Sequence, residues 1–417
     1  MAMRHAILPA FALQAMLASA SVAANCDGDT TGMAALTDLG AGTYQGVIGG
    51  LYPGGVNHRP AAHDLAGRLI AQSIVPLDTL GQAAPAGSVV LVSIGMSNAT
   101  QEFSAFVPKA TADPLKRPEC RVIDCALGGQ SADRIDVPTA AYWDSVATRL
   151  RGHGSSPLQV QVAWIKEADA QPSGSFQVSN DSLLAHLRSI VGILKQELPN
   201  LKLVYFTSRI YAGYASTPLN PEPYAYESGF AVRRIIEAQI AGDPTLNYDP
   251  ANGAVLAPWL AWGPYLWSDG LRGRADGLTW ACSDFAADGT HPAASARHRV
   301  SDSLLVFFRN DQTTAPWYRQ ATVGVPEPRA PLGLSLAIRP NPSRGAIRLA
   351  IAVPGAEPWR LTIVDAQGRR LHSRTAVGGA ALVWEGRDSA GAPVARGTYW
   401  ARLECANGSL TRRFVLR

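Results

Sequence analysis

The chain has 417 residues, a length that suits two to three domains. With 47% hydrophobic and 17% charged residues it can bury a large core, which excludes wholesale disorder and a fibrous repeat. The net charge of +4 is too small to argue for a nucleic-acid partner, but it is unevenly spread. From Ser335 onward thirteen Arg stand against five acids with no Lys, a surplus of +8 that leaves about −4 for the rest. That split points to two domains of different character.

At the N-terminus, Arg4 precedes an apolar run from Ala6 to Ala20, broken only by Pro9, Gln14 and Ser19. Val22-Ala23-Ala24 then supplies the small residues that a signal peptidase needs. Residues 1–24 are therefore expected to be an export signal. Asn25 before Cys26 fits a lipoprotein cleavage box poorly, which favours soluble export. The run is too short to span a bilayer and no later stretch is long enough, so no membrane span is expected.

From Ala61 to about Asn310, short apolar runs alternate with amphipathic stretches. Residues 88–94 read as a buried strand ending at Gly95, and 121–124 as a second ending before Gly128-Gly129. Residues 158–165 and 201–207 read as the third and fourth. Between these two, Leu183, Leu184, Leu187, Ile190, Val191 and Leu194 recur at helical spacing over 182–198, and Pro199-Asn200 stops the helix. Residues 225–240 and 293–308 read as further helices. Strands that are apolar nearly throughout, alternating with helices, imply a parallel sheet covered on both faces. The expected architecture is an α/β, three-layer α/β/α sandwich.

After Trp317 the texture changes. Pro326, Pro328 and Pro331 mark a linker over 321–333. Beyond it, alternating strands are read at 334–338, 346–353, 360–364, 381–384, 397–403 and 412–416, parted by turns at 365–368 and 388–391. These closely spaced strands fit a small all-β sandwich over 334–417.

Five cysteines (Cys26, Cys120, Cys125, Cys282 and Cys405) leave the disulfide pairing open. Cys120 and Cys125 flank a strand whose length of roughly 16 Å exceeds a disulfide's reach of about 7 Å, so those two are not expected to pair. The eight His are scattered and no His-Glu-x-x-His occurs, so neither a metal nor a cofactor is expected.

Two motifs carry chemistry. Gly95-Met96-Ser97-Asn98 follows the first strand, and ligands bind at the carboxyl ends of strands in open parallel sheets. Ser97 reads as a nucleophile; alternatively Ser97 or Asn98 caps a helix starting near Thr100, with Gln101 completing a capping box. Asp288-Gly289-Thr290-His291-Pro292 precedes the last helix of the α/β region. Its spacing of three lets the carboxylate orient the imidazole of a general base; the alternative is an Asp-Gly turn leading into a helix.

In this order the motifs resemble those of the SGNH (GDSL-like) esterase and lipase superfamily, over about residues 88–310. Block one is Gly95-Met96-Ser97-Asn98, with Met96 where the family has Asp. Block two is Ala126-Leu127-Gly128-Gly129-Gln130-Ser131-Ala132, and block five is Asp288-x-x-His291. The resemblance implies a flavodoxin-like sheet, ester hydrolysis, Ser97 as nucleophile, His291 as its base and Asp288 as the group orienting His291. It also implies that the Gly129 N–H serves the oxyanion hole.

Block three departs from the family. Where Gly-x-Asn-Asp is expected, Ala163-Trp164-Ile165-Lys166-Glu167-Ala168-Asp169 offers no Asn or Gln. The segment is closer to the Trp-His-Gln-Gly-Glu of sialate O-acetylesterase-like members, one residue shorter, and that likeness implies acyl esters on carbohydrate. A lost oxyanion donor costs roughly 3–4 kcal/mol. Lys166 reads either as the replacement donor or as a solvated strand-end charge paired with Glu167 or Asp169.

Trp259, Trp262, Tyr265, Trp267 and Trp280 read as a substrate-facing aromatic wall or as a cluster packed under a loop. Arg209 and Tyr211, after the fourth strand, read as substrate contacts or loop anchors, and His58 and His63 as ordinary polar residues. The last domain is similar to a flagellar hook-cap-type Ig-like module and to the C-terminal sorting domain of type IX secretion substrates. The residues that carry this likeness are Pro340-Asn341-Pro342-Ser343-Arg344-Gly345, Ile363-Val364-Asp365 with Gly368-Arg369, Trp384-Glu385-Gly386-Arg387-Asp388 and Gly397-Thr398-Tyr399. It implies delivery to, or anchoring at, the cell surface. The expectation is an exported, extracellular or cell-surface serine esterase acting on a small-molecule or polysaccharide ester. Its C-terminal domain would meet the secretion machinery or the surface, and no nucleic acid is involved. Two alternatives stay open: a non-catalytic surface-binding protein on the same fold, and an acyltransferase using the same three residues.

Overall fold

A computed structural model describes residues 23–320, 334–353, 357–365, 368–405 and 408–417. The chain divides into two compact units with the boundary after Gln320. The expected export signal, apart from residues 23 and 24, and the expected linker lie outside the described residues.

The first unit is α/β. In chain order its principal elements are α1 (Ala61–Gln72), β1 (Val89–Gly95), α2 (Ser97–Thr111), β2 (Cys120–Asp124), α3 (Ala141–Gly152) and β3 (Val160–Lys166). They continue with α4 (Phe176–Glu197), β4 (Leu203–Phe206), α5 (Tyr224–Ile240), β5 (Trp259–Trp262) and α6 (Ala294–Asn310). The strands form one parallel sheet in the order β2-β1-β3-β4-β5. Every residue of β1 and β3 is buried, so both faces of the sheet are covered, as their continuous Val, Ile and Leu content requires. Helix α2 packs on α6, and α4 on α5.

The four expected strands are present, and β5 is an addition. Its Trp-Leu-Ala-Trp sequence is fully buried and too short to show a period. Strand order reverses between β1 and β3, the switch point at which open parallel sheets leave a crevice beyond their carboxyl ends. There Gly95 lies opposite Lys166 in register. A Cβ at Gly95 (φ +151°) would collide with the Lys166 carbonyl oxygen and the Ala99 side chain. Glycine lets the chain turn from β1 into α2 against its neighbouring strand.

The second unit is an antiparallel β-sandwich. Its strands are β6 (Ser335–Arg339), β7 (Ile347–Ala352), β8 (Pro358–Val364), β9 (Arg370–Val377), β10 (Ala380–Trp384), β11 (Gly397–Cys405) and β12 (Gly408–Leu416). One sheet runs β9-β8-β11-β12 and the other β10-β7-β6. Alternate residues point inward, among them Ile347, Leu349 and Ile351 from β7 and Trp359, Leu361 and Ile363 from β8.

Candidate active site

The nucleophile candidate sits at the carboxyl end of β1. Helix α2 begins at Ser97 itself, with Met96 as N-cap and no side-chain capping bond. The reading of Ser97 or Asn98 as the cap of a helix starting near Thr100 is thereby corrected. With no backbone N–H to serve, the Ser97 hydroxyl bonds His291 instead: Ser97 Oγ lies 2.8 Å from His291 Nε2. His291 Nδ1 lies 2.5 Å from Asp288 Oδ2. The other carboxylate oxygen, Oδ1, accepts the backbone N–H groups of Thr290 and His291, each at 3.0 Å.

These bonds define the state of the carboxylate. Burial pushes the Asp288 carboxyl up, but the backbone N–H and imidazole of His291 and the N–H of Thr290 outweigh it and hold it below its usual range. Asp288 therefore stays ionised and fixes the tautomer that presents Nε2 to Ser97. The tight loop depends on Gly289 (φ +65°), because a Cβ there would collide with the Tyr214 carbonyl. The Ser216 N–H donates to the Asp288 carbonyl at 3.1 Å and braces the loop from outside.

Asn98, which the sequence offered only as an N-cap, joins the two halves of the site. It is 1% exposed, and its Nδ2 donates to the Thr290 carbonyl at 3.0 Å. The only sequence signal for it was its place beside Ser97.

Two donors stand near the serine. Ser97 opens α2, so its N–H belongs to the unpaired first turn, at the positive end of the helix dipole. The Gly128-Gly129 turn is exposed, and a side chain at Gly128 would come within 3.9 Å of the Ser97 Cβ. Among the described residues the Gly129 N–H has no internal acceptor, while its carbonyl is held by Arg134 Nη1 at 2.9 Å. Leu127 N–H, at 2.8 Å from the Gly95 carbonyl, ties this loop to the end of β1.

Lys166 does not sit where either sequence reading put it. It is 0% exposed, and its ammonium bonds both oxygens of Glu102 on α2, at 2.6 and 2.7 Å. It is neither solvated nor paired with Glu167 or Asp169. A group with no accessible surface cannot meet a substrate arriving from water, so direct oxyanion donation is also corrected. Burial pushes the Glu102 carboxyl up and the Lys166 ammonium down, each against the partner's charge.

The aromatic residues are core. Trp259, Trp267 and Trp280 are 0% exposed, and Trp262 and Tyr265 are also buried, so these five rings form no wall facing a substrate. Arg209 and Tyr211 are buried loop anchors: Arg209 Nε donates to Asn220 Oδ1 at 3.2 Å, and the Tyr211 hydroxyl to the Gly28 carbonyl at 2.6 Å. His63 Nε2 lies 2.8 Å from the Leu260 carbonyl. Cys26 pairs with Cys282, a pairing the sequence left open, while Cys120, Cys125 and Cys405 are free. Among the described residues no three His, Cys, Asp or Glu side chains group as metal ligands, and no helix is long and apolar enough to cross a membrane.

No family model matches the chain, and no curated protein matches it. Solved structures resemble it at low identity. The periplasmic domain of a lipopolysaccharide acetyltransferase from Salmonella ser. Paratyphi A is 13% identical over 59% of this chain and 94% of its own, with a TM-score of 0.28. Latent PorU from Porphyromonas gingivalis is 16% identical over 22% of this chain, with a TM-score of 0.19. PorZ, a surface component of the type IX secretion system of the same organism, is 24% identical over 25%, with a TM-score of 0.18. The chain spans only 10% of PorU and 14% of PorZ.

Proposed function

We propose that the chain is an exported serine esterase that hydrolyses acyl esters. The observation that carries this reading is the unbroken chain from Ser97 Oγ through His291 to Asp288, at 2.8 and 2.5 Å, at the switch point of a parallel sheet. His291 Nε2 takes the Ser97 proton as Oγ attacks the ester carbonyl, and Asp288 stabilises the imidazolium that forms. The N–H groups of Ser97 and Gly129 receive the oxyanion. His291 returns the proton to the departing alcohol, and a water activated by the same imidazole releases the acyl group from Ser97. The resemblance of the three motif blocks to SGNH hydrolases supports the same roles.

Export is supported by the small-residue cleavage pattern at 22–24 and by the Cys26–Cys282 disulfide, since disulfides persist in oxidising compartments. The β-sandwich is assigned to surface delivery through its likeness to sorting modules. The experiment is covalent labelling with a fluorophosphonate together with hydrolysis of short-chain p-nitrophenyl esters. Ser97→Ala should abolish both, and Asp288→Asn should lower kcat by up to about 10⁴-fold. Wild-type turnover by Ser97→Ala would overturn the assignment. Labelling without hydrolysis, relieved by an added alcohol acceptor, would favour acyl transfer.

A further inference from the structure

We propose that Arg134 is a positioning residue for the oxyanion site: its guanidinium holds the crest of the loop after β2, residues 128–130, and so places the Gly129 N–H beside Ser97. The assignment rests on the ester-hydrolase reading and deepens it. Block three holds no Asn or Gln, and Lys166 is buried, so that reading gives the oxyanion to two backbone N–H groups. One of them begins a helix and needs no further support. The other lies on an exposed turn, and what fixes it matters.

The loop is anchored at both ends. Ahead of the crest, Ala126 N–H donates to Ser93 Oγ at 3.1 Å and to Asp124 Oδ1 at 3.2 Å. The other oxygen of Asp124 accepts the Thr100 and Ser104 hydroxyls at 2.6 and 2.7 Å, which ties this end to the helix that Ser97 opens. Arg149 Nη1 holds the Ala126 carbonyl at 3.1 Å, and Leu127 N–H donates to the Gly95 carbonyl at 2.8 Å. Behind the crest, Ala132 N–H donates to the Ala168 carbonyl at 3.1 Å.

Between these anchors the crest has few bonds of its own. Gly128 and Gly129 are both exposed, and Gly129 takes φ +77°. Consecutive glycines leave the backbone more freedom than any other pair of residues. One backbone bond closes the turn, from Gln130 N–H to the Leu127 carbonyl at 3.3 Å. Among the described residues, the one side-chain hydrogen bond to residues 128–130 runs from Arg134 Nη1 to the Gly129 carbonyl, at 2.9 Å. Arg134 reaches back from the short helix Ala132–Ile135, whose Ala132 and Ile135 are 0% exposed, so the guanidinium works from a fixed base. Its bond is charge-assisted and stronger than a neutral one. An oxyanion donor acts through its placement. A crest released from Arg134 would present the N–H correctly for only a fraction of the time, and kcat would fall with that fraction.

Arg134 is exposed, so its replacement leaves the core untouched. Arg134→Ala should lower kcat for p-nitrophenyl acetate by about tenfold, short of the roughly 10²–10³-fold that complete loss of a donor costs. KM and the thermal midpoint should stay near their wild-type values. Arg134→Lys still offers a donor and should recover part of kcat. Wild-type kcat in Arg134→Ala overturns the proposal. So does a higher KM at constant kcat, which would make Arg134 a substrate contact, and so does a kcat that falls only in step with the thermal midpoint. NMR relaxation of the glycine amides in the full chain separates this proposal from the hydrolase reading, because the Gly129 order parameter should drop in Arg134→Ala whether or not the protein turns over an ester. A wild type that hydrolyses no ester, with Gly129 loosened in the variant, would sink the hydrolase reading and leave the hold of Arg134 on the loop standing. An unchanged Gly129 order parameter, in a protein that does hydrolyse esters, would sink the role of Arg134 alone.

Discussion

Asn98 follows the serine and bonds the carbonyl of Thr290, the residue before His291. One buried amide therefore sets the nucleophile's helix against the loop of its base. Asn98→Ala would leave the Thr290 carbonyl buried without that donor, at a cost of about 1–3 kcal/mol. It should also lower kcat by roughly tenfold with little change in KM, because Asn98 acts through the Ser97–His291 alignment. Fluorophosphonate labelling should slow in parallel with kcat. A variant that is less stable yet labels at the wild-type rate would limit Asn98 to a structural role.

The Glu102–Lys166 pair makes a different prediction from the one the sequence suggested. Lys166→Ala strands a buried carboxylate, so it should destabilise the fold by about 3–5 kcal/mol. Replacing both partners with apolar residues of similar size, Glu102→Leu with Lys166→Met, should recover most of that loss. The double variant should keep a near-wild-type kcat. Were Lys166 an oxyanion donor, it would instead lose about 10²–10³-fold. Denaturant midpoints and kcat measured on the same preparations distinguish the two outcomes.

Much of this architecture is legible in the sequence because burial on both sides writes itself as continuous apolar runs: residues 89–95 and 160–166 could hardly be anything but central strands. The serine and the Asp-x-x-His pair are legible because short-range geometry constrains them. Partnerships across long separations leave no local trace. Glu102 is 64 residues from Lys166, and Cys26 is 256 from Cys282. Strand β9 escaped for another reason. Its Arg-Leu-His-Ser-Arg-Thr-Ala-Val sequence is largely exposed and shows almost no alternation of polar and apolar residues. The tryptophans illustrate the converse, since composition cannot say whether a large ring faces a cleft or a core.

The Cys26–Cys282 bridge fastens the N-terminal segment to a turn six residues ahead of Asp288, and Asn25 N–H reinforces it with a 2.9 Å bond to the Tyr214 carbonyl. Closing so long a loop restricts the unfolded chain, and losing such a bridge typically costs about 2–5 kcal/mol. Cys282→Ser should lower the denaturation midpoint by a corresponding amount. Reductant should move the wild type to the variant's midpoint and leave the variant unaffected. A wild-type midpoint indifferent to reductant would show that the bridge carries none of the stability.

Glu222 should make stability depend on pH. Its carboxyl accepts from the Trp267 indole at 2.8 Å and from the Ala212 and Tyr226 N–H groups at 2.9 Å each. Burial nevertheless wins and pushes it up to about 7 from an ordinary 4.5, against those donors and the Arg209 charge. Between these two values the folded chain holds a proton that the unfolded chain has released, so this group's contribution falls as pH rises through that window and levels off above it. Glu222→Gln removes the titration while keeping one acceptor oxygen for Trp267 and Ala212, and gives up the oxygen facing Tyr226. The variant should therefore be less stable than the wild type at about pH 5, with the gap narrowing steadily toward about pH 8. Thermal midpoints of the two proteins across that range measure the gap directly. A gap that stays constant, or widens with pH, would mean that Glu222 is ionised throughout and that its hydrogen bonds outweigh its burial.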